Sequence, residues 1–301
     1  MRTGPDGSVQ GWTARVARAV VTLATTALLA GCLGTSADGG SGGNGGDGYG
    51  GWGGNGYGGN GGNADGRAGA DGAAGAAGGG FTDPAAVAGS GRLTSRTIDL
   101  SGVTSVVAEA DFVVHLRAGG PAQAVVTMDD NLVDRVDASV TGDELHLGIK
   151  PGRGVRNATL SAEVTVGRLD RLATSAASRV VLTSTITSPA LQMVVSGAGS
   201  VTGPIQIGQV EADVSGTGTL GLSGHVSDLH LRAAGASRLP LADLTVRHLD
   251  ATLSGASHVV VTVSDTLAVQ ATGASMLRYR GTPEITRSQR SGASSVVPES
   301  R

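Results

Sequence analysis

The sequence predicts an all-β protein, a single-stranded β-solenoid with coils of about nineteen residues carried on a disordered, glycine-rich tether. Three observations predict it. A tetrapeptide of small residues recurs at near-constant spacing, apolar and polar residues alternate around each copy, and large side chains are scarce, with aromatics at only 2%.

The tetrapeptide occurs as Ser175-Ala176-Ala177-Ser178, Ser196-Gly197-Ala198-Gly199, Ser215-Gly216-Thr217-Gly218, Ala234-Gly235-Ala236-Ser237, Ser254-Gly255-Ala256-Ser257, Thr272-Gly273-Ala274-Ser275 and Ser291-Gly292-Ala293-Ser294. Successive copies start 21, 19, 19, 20, 18 and 19 residues apart. Between them stand segments such as Leu229-His230-Leu231 and Val261-Thr262-Val263. Alternation at period two means strands with one buried face. A fixed period near twenty with short strands and small-residue corners means one coil per repeat. No window here keeps a 3.6-residue period for three turns, which disfavours helices. At each corner, Gly197, Gly216, Gly235, Gly255, Gly273 and Gly292 are expected to supply positive φ without steric cost. Ser and Thr hydroxyls are expected to hydrogen-bond along the stack, with Ala pointing inward where the cross-section is narrow. Turn chemistry accounts for every residue type in the tetrapeptide, so a structural role outweighs a ligand-binding strip.

The chain begins with a targeting signal. Arg2, Arg15 and Arg18 precede an uncharged run of twelve residues, Ala19 to Ala30, too short to cross a bilayer as a helix, which takes roughly twenty. Residues 1–31 read as a lipoprotein signal peptide ending in a lipobox, Leu29-Ala30-Gly31, before Cys32. Cys32 is the only cysteine, and a lone thiol in an exported protein needs a chemical role. Lipidation supplies one. Two acyl chains contribute about 0.8 kcal/mol per buried methylene, enough for stable anchoring. Membrane attachment through this lipid is therefore the first expected partner. Leu33 is not an inner-membrane retention Asp, so an outer membrane is compatible.

Residues 32–90 read as the tether. Gly is 51 of 301 residues, and many of these glycines crowd between Gly39 and Gly80. Such a segment cannot bury enough apolar surface to offset the entropy of ordering it. Gly42 to Gly50 resembles one calcium-binding nonapeptide of a β-roll, but Tyr49 takes the aliphatic position and no second copy follows. Gly66, Gly69, Gly72, Gly75 and Gly78 keep a collagen-like period of three in a run that is short and lacks proline. Some sixty flexible residues give a mean reach of roughly 40 Å.

Residues 91–301 read as the head. From Leu93 to Leu172 the chain alternates without the tetrapeptide: Ala124, Val126 and Met128 share one face, as do Leu145, Leu147 and Ile149. Gly119-Gly120-Pro121 and Gly142-Asp143 read as turns. This stretch is expected to form wider, irregular coils of the same solenoid.

The head resembles the family of autotransporter-adhesin head domains called the GIN domain, a family of unknown function common in bacterial lipoproteins. The residues that carry the resemblance are Arg96-Thr97-Ile98-Asp99-Leu100, Phe112-Val113-Val114-His115-Leu116, Asp130-Asn131-Leu132, Gly142-Asp143-Glu144-Leu145-His146-Leu147, the repeated Ser-Gly-Ala-Ser and Tyr279-Arg280-Gly281-Thr282-Pro283. It covers about two-thirds of the chain. The resemblance implies a right-handed β-helix-like solenoid entered through a less regular N-terminal half, and it implies no catalytic residues. Gly199 and Gly218 replace the last Ser of their tetrapeptides and Ala176 replaces Gly in the first, so those coils are expected to turn differently.

Candidate chemistry is thin. His115, His146, His225, His230, His248 and His258 show no metal-ligand spacing. Ser223, His225 and Asp228 are close in sequence, but triad members come from separate loops of a rigid scaffold. Asp129, Asp130, Asp134 and Asp137 form the main acidic cluster, read as a solvated turn and strand face in preference to a calcium site. A polysaccharide-active β-helix enzyme would want clustered acids and aromatics, whereas the head offers Phe112 and Tyr279, with Phe81 at the end of the tether. No catalytic residue, metal or cofactor is expected. Net charge is −3, giving no electrostatic case for nucleic acid or an acidic membrane surface. The expected function is a non-enzymatic, adhesin-like or scaffolding head at the cell envelope, with envelope polymers, surface proteins or its own copies as partners. A structural or accessory lipoprotein without specific ligand is the alternative.

Overall fold

A computed structural model describes residues 86–299. Cys32, the lipobox and the chain up to residue 85 lie outside the described residues. The head is a β-solenoid. Strands β12 (Ile186–Val195), β13 (Ser200–Val214), β14 (Thr219–Ala233), β15 (Arg238–Leu253) and β16 (His258–Ala271) stack in parallel, one above the other. Above them the last turns divide into β17 (Met276–Arg280), β18 (Glu284–Arg290) and β19 (Ser295–Pro298).

The long strands are not straight. In β13 the inward residues are Val201, then Ile205 and Ile207, then Val210, Ala212 and Val214, so strict alternation slips between the groups. The same slips recur in β14 and β15. Each coil therefore bends twice besides its tetrapeptide corner and offers three faces. We call the segment before the tetrapeptide (Val210–Val214 in β13) the pre-corner face and the segment after it (Ser200–Thr202) the post-corner face. Inside, side chains stack coil on coil. The column Met193, Ala212, Leu231, Ala251, Val269 alternates large with small, which lets neighbouring layers interdigitate in a narrow interior.

The N-terminal half corrects the expectation of wider coils. Only β3 (Ser105–Ala108) and β4 (Val113–Ala118) form a coil there, and they lie directly beneath β10 (Arg171–Thr174) and β11 (Arg179–Leu182). Residues 119–170 leave the stack between these two coils and build a closing layer under the first. In that layer β5 (Gln123–Asp129) pairs antiparallel with β2 (Leu93–Asp99) on one side and β9 (Leu160–Val166) on the other. The hairpin of β6 (Val136–Thr141) and β7 (Glu144–Ile149) is likewise antiparallel. The tight turn at Gly142, with φ 63°, reverses the chain where a coil would have carried it onward. β7 and β9 then run parallel below β3 and β4 and hand the closing layer over to the solenoid.

Pairing also starts earlier than residue 91. β1 (Val87–Ala88) pairs parallel with β8 (Val155–Arg156), and Ser90 and Gly91 are tied to the turn after β5.

Candidate functional surface

The corners explain the tetrapeptide residue by residue. Gly197, Gly216, Gly235, Gly255, Gly273 and Gly292 all have φ between 65° and 77°. A Cβ on any of them would sit within 3.0 Å of the carbonyl oxygen of the corresponding corner one coil below. Two requirements therefore coincide at one position: left-handed backbone and close stacking. The next residue donates its N–H to that same lower carbonyl, as in Ala256 N to Gly235 O at 2.7 Å and Ala274 N to Gly255 O at 2.7 Å.

The inward residue of the corner is the fourth, not the third. Ala198, Ala236, Ala256 and Ala274 face solvent, whereas Ser178, Ser237, Ser257 and Ser275 are buried. Their hydroxyls serve their own turns more than the stack. Ser257 Oγ donates to Ser254 O at 2.8 Å and Ser275 Oγ to Thr272 O at 2.8 Å. Bonds between coils come mainly from other corner hydroxyls, with Ser196 Oγ donating to Thr174 O at 3.2 Å, Thr272 Oγ1 to Leu253 O at 3.3 Å and Ser294 Oγ to Ala271 O at 2.9 Å, so caps and coil-to-coil bonds occur side by side. Where Gly199 and Gly218 stand instead of Ser, branched neighbours fill the space: a Cβ at Gly199 would meet Thr174 Oγ1 at 2.6 Å, and one at Gly218 would meet Val195 Cγ1 at 3.0 Å. Those coils keep the same turn. So does Ala176, which adopts the left-handed conformation with φ 55° despite its Cβ.

An eighth corner, Glu109-Ala110-Asp111-Phe112, was invisible to the repeat. Ala110 has φ 60° and its carbonyl accepts from Ser178 Oγ at 2.6 Å, while Phe112 fills the inward fourth position. It is 66 residues from Ser175 in sequence (175 − 109) but one coil away in space.

The pre-corner face is flat and laced. Arg232 on β14 reaches Glu211 at 2.9 Å and Asp213 at 3.5 Å on the coil below. The hydrogen bond with Glu211, then the charge of Asp213, hold its guanidinium above the usual arginine range. Arg287 bonds Asp250 at 2.7 Å, Arg171 bonds Glu144 at 2.8 Å, and His248 Nδ1 lies 2.9 Å from Thr266 Oγ1.

The post-corner face carries Val113, Arg179, Ser200, Thr219, Arg238, His258, Met276 and Ser295 in one outward column. Beside it Val260 pairs in register with Arg278, and Arg278 with Val297. Pro240 packs against Gly221, whose missing Cβ would lie 3.5 Å from Pro240 Cγ.

The acidic cluster separates into different jobs. Asp129 is 1% exposed, and its two carboxylate oxygens accept from Gly91 N and Thr159 N, each at 2.7 Å. Asp130 takes Ser90 Oγ at 2.5 Å and pairs with Arg92 at 3.1 Å, and the Ser90 hydroxyl first, then Arg92, hold its carboxyl below the usual range. Asn131 binds Ser90 N and Ala88 O. Together these residues fasten the incoming chain. Asp137 instead lies 3.4 Å from His146, whose other nitrogen faces Glu109.

The remaining histidines are spread over all three faces. His115 and His258 stand on the post-corner face, His230 and His248 on the pre-corner face and His225 on the third. Ser223, His225 and Asp228 pair in register with Pro204, Gln206 and Gln209, and a bend separates His225 from Asp228. Among the described residues no hydrogen bond joins the three.

Against this geometry, comparison with known proteins is direct. No curated protein matches the chain. Among solved structures, a "putative adhesin" from Bacteroides fragilis superposes with a TM-score of 0.66 at 18% identity, covering 71% of this chain and 100% of that one. A "putative adhesin" from Parabacteroides distasonis gives 0.59 at 19% identity, covering 71% and 99%. A "putative lipid binding protein" from the same organism gives 0.53 at 17%, again covering 71% and 99%. At these identities the likeness establishes the fold. Residues 102–283 match the family described as "Putative auto-transporter adhesin, head GIN domain". That match spans more than half of the chain, from the first coil through the last long strand, and the protein belongs to this adhesin-head GIN family.

Proposed function

We propose that the protein is an exported, lipid-anchored envelope protein whose solenoid head works by surface contact, without catalysis. The observation that carries this reading is the pair of flat faces on which side chains repeat in register from coil to coil. A parallel stack spaces equivalent residues about 4.8 Å apart, which suits an extended partner better than a compact substrate. Membership of the adhesin-head family supports an extracellular or envelope location. The Leu29-Ala30-Gly31-Cys32 sequence supports anchoring by lipid, and the glycine-rich segment supports display at a distance.

Two measurements test the two halves of the reading. Membrane fractionation with detergent-phase partitioning compares the wild type with Cys32→Ala, and release of the variant from membranes is the expected result. Equal partitioning of both would remove the anchor. Cells expressing the full chain are then compared with cells lacking it for retention of envelope glycans and surface proteins. No difference in retention would remove the contact function.

A further inference from the structure

We infer that the post-corner face holds a phosphate-binding site, built by Arg238, His258 and Arg278 on three consecutive coils, through which the head engages a phosphate-bearing polymer. This deepens the surface-contact reading and rests on it. The net charge of −3 conceals how charge is distributed. From Arg179 upward, the outward positions of this face are Arg179 and Val181, Ser200 and Thr202, Thr219 and Gly221, Arg238 and Pro240, His258 and Val260, Met276 and Arg278, Ser295 and Val297. None is a carboxylate. The nearest acid at the upper margin, Glu299, already binds Arg280 at 2.8 Å.

The arginines of this face differ from most others on the solenoid, Arg290 on β18 being unpaired as they are among the described residues. Arg171, Arg232, Arg247, Arg280 and Arg287 each hold a carboxylate within 3.2 Å. Arg179, Arg238 and Arg278 are exposed, and among the described residues none of them has an ion-pair or side-chain hydrogen-bond partner. A guanidinium left free on an ordered sheet, among neighbours that carry no carboxylate, keeps all its donors available to an incoming oxyanion.

The third observation is shape. Arg238, Pro240, His258 and Val260 line a shallow depression of about 300 Å³. Arg238 is in register with His258, and Val260 with Arg278, so Arg238 lines the depression from the coil below the imidazole and Arg278 stands on the coil above, next to the Val260 wall. Donors on three adjacent coils match the several oxygens of a tetrahedral phosphate better than the two of a planar carboxylate. The apolar walls, Pro240 and Val260, reduce competition from water. They also line a recess, and the apolar side chains that reach the surface of this face, Val113, Met276 and Val297, lie on separate coils with no aromatic among them, which argues for a polymer seated along the strands over insertion into a bilayer. Arg179, three coils below Arg238, lies about 14 Å away in the same column and offers a second contact to an extended chain.

The experiment uses the purified full-length chain and immobilised long-chain inorganic polyphosphate at low salt, with vesicles containing phosphatidylglycerol as a second arm. The wild type should bind polyphosphate, with affinity falling as salt rises. The double variant Arg238→Ala/Arg278→Ala should lose about tenfold or more in affinity with its thermal melt unchanged, since both side chains are exposed. The control Lys150→Ala/Arg153→Ala, which removes two cations from the closing layer, should change affinity by less than about twofold. Absence of wild-type binding, or equal losses in the two double variants, overturns the site. Arg238- and Arg278-dependent binding to vesicles without binding to polyphosphate overturns the polymer in favour of a membrane. If cells carrying the Arg238/Arg278 variant still retain envelope partners as the wild type does, the contact function survives and this site does not.

Discussion

The regular coils and the closing layer bury similar aliphatic side chains, yet they are held together in different ways. In the coils most residues pair in register with their counterparts above and below, and the limiting feature is how closely two backbones approach at the corner. In the closing layer the strands are antiparallel partners distant in sequence, such as Leu93 with Asp129 and Gln123 with Thr165, and a single buried carboxylate joins the segments. The coils are a stack secured by absence of side chains at the corner. The closing layer is a knot of long-range pairings secured by one polar group.

The sharpest way to break this comparison uses one substitution in both regions. Gly255 and Gly142 share positive φ, at 73° and 63°, but a Cβ on Gly255 would strike the Gly235 carbonyl, whereas one on Gly142 would have nothing within 4 Å. Gly255→Ala should cost about 3–5 kcal/mol, combining backbone strain with forced separation of two coils. Gly142→Ala should cost only about 1 kcal/mol, from strain alone. Urea denaturation followed by far-ultraviolet circular dichroism measures both. Equal losses would mean that stacking at the corner contributes nothing.

Asp129→Ala comes next. It leaves the amides of Gly91 and Thr159 without their carboxylate acceptor, at a cost of about 1.5–3 kcal/mol. Hydrogen exchange should speed up at those two amides and along β2 while the upper coils stay protected. Uniform acceleration through β13–β16 would show that the closing layer and the coils unfold as one unit.

Two smaller effects probe the corner cap. Ser257→Ala removes the hydroxyl that caps Ser254 O and should cost about 1 kcal/mol. Thr174→Val should act in the opposite direction, stabilising by up to about 1 kcal/mol. Among the described residues the buried Thr174 hydroxyl has no partner, and Val195 and Val214 occupy the equivalent place in the next two coils. Chemical denaturation gives both signs. A destabilised Thr174→Val would reveal a partner for that hydroxyl.

Much of the coil architecture was legible because it is local. A strand announces itself by alternation, and a corner such as Ser254-Gly255-Ala256-Ser257 announces itself because only small residues fit a stacked turn. Which small residue faces inward was not legible. Ala and Ser are both compatible with the interior, and the choice of Ser depends on a carbonyl three residues back that needs a donor. The separation of Asp129 from Asp130 was hidden for a similar reason: one carboxylate is buried on two amides and the other is exposed beside Arg92, although they are adjacent in the chain. The three free arginines could have been found by writing the sequence in rows of one coil, since Arg179, Arg238 and Arg278 then fall on a face that carries no acid from Arg179 upward.

Short-range requirements alone specify the solenoid, its period near nineteen residues, its seven tetrapeptide corners and its family, because each coil repeats the same alternation and small-residue turn. Only the tertiary structure decided that β3–β4 and β10–β11 are adjacent coils with residues 119–170 folded beneath them. Closing the end of a parallel stack satisfies strand edges with partners far away in the chain, and such pairing leaves alternation but no repeat in the residues that make it.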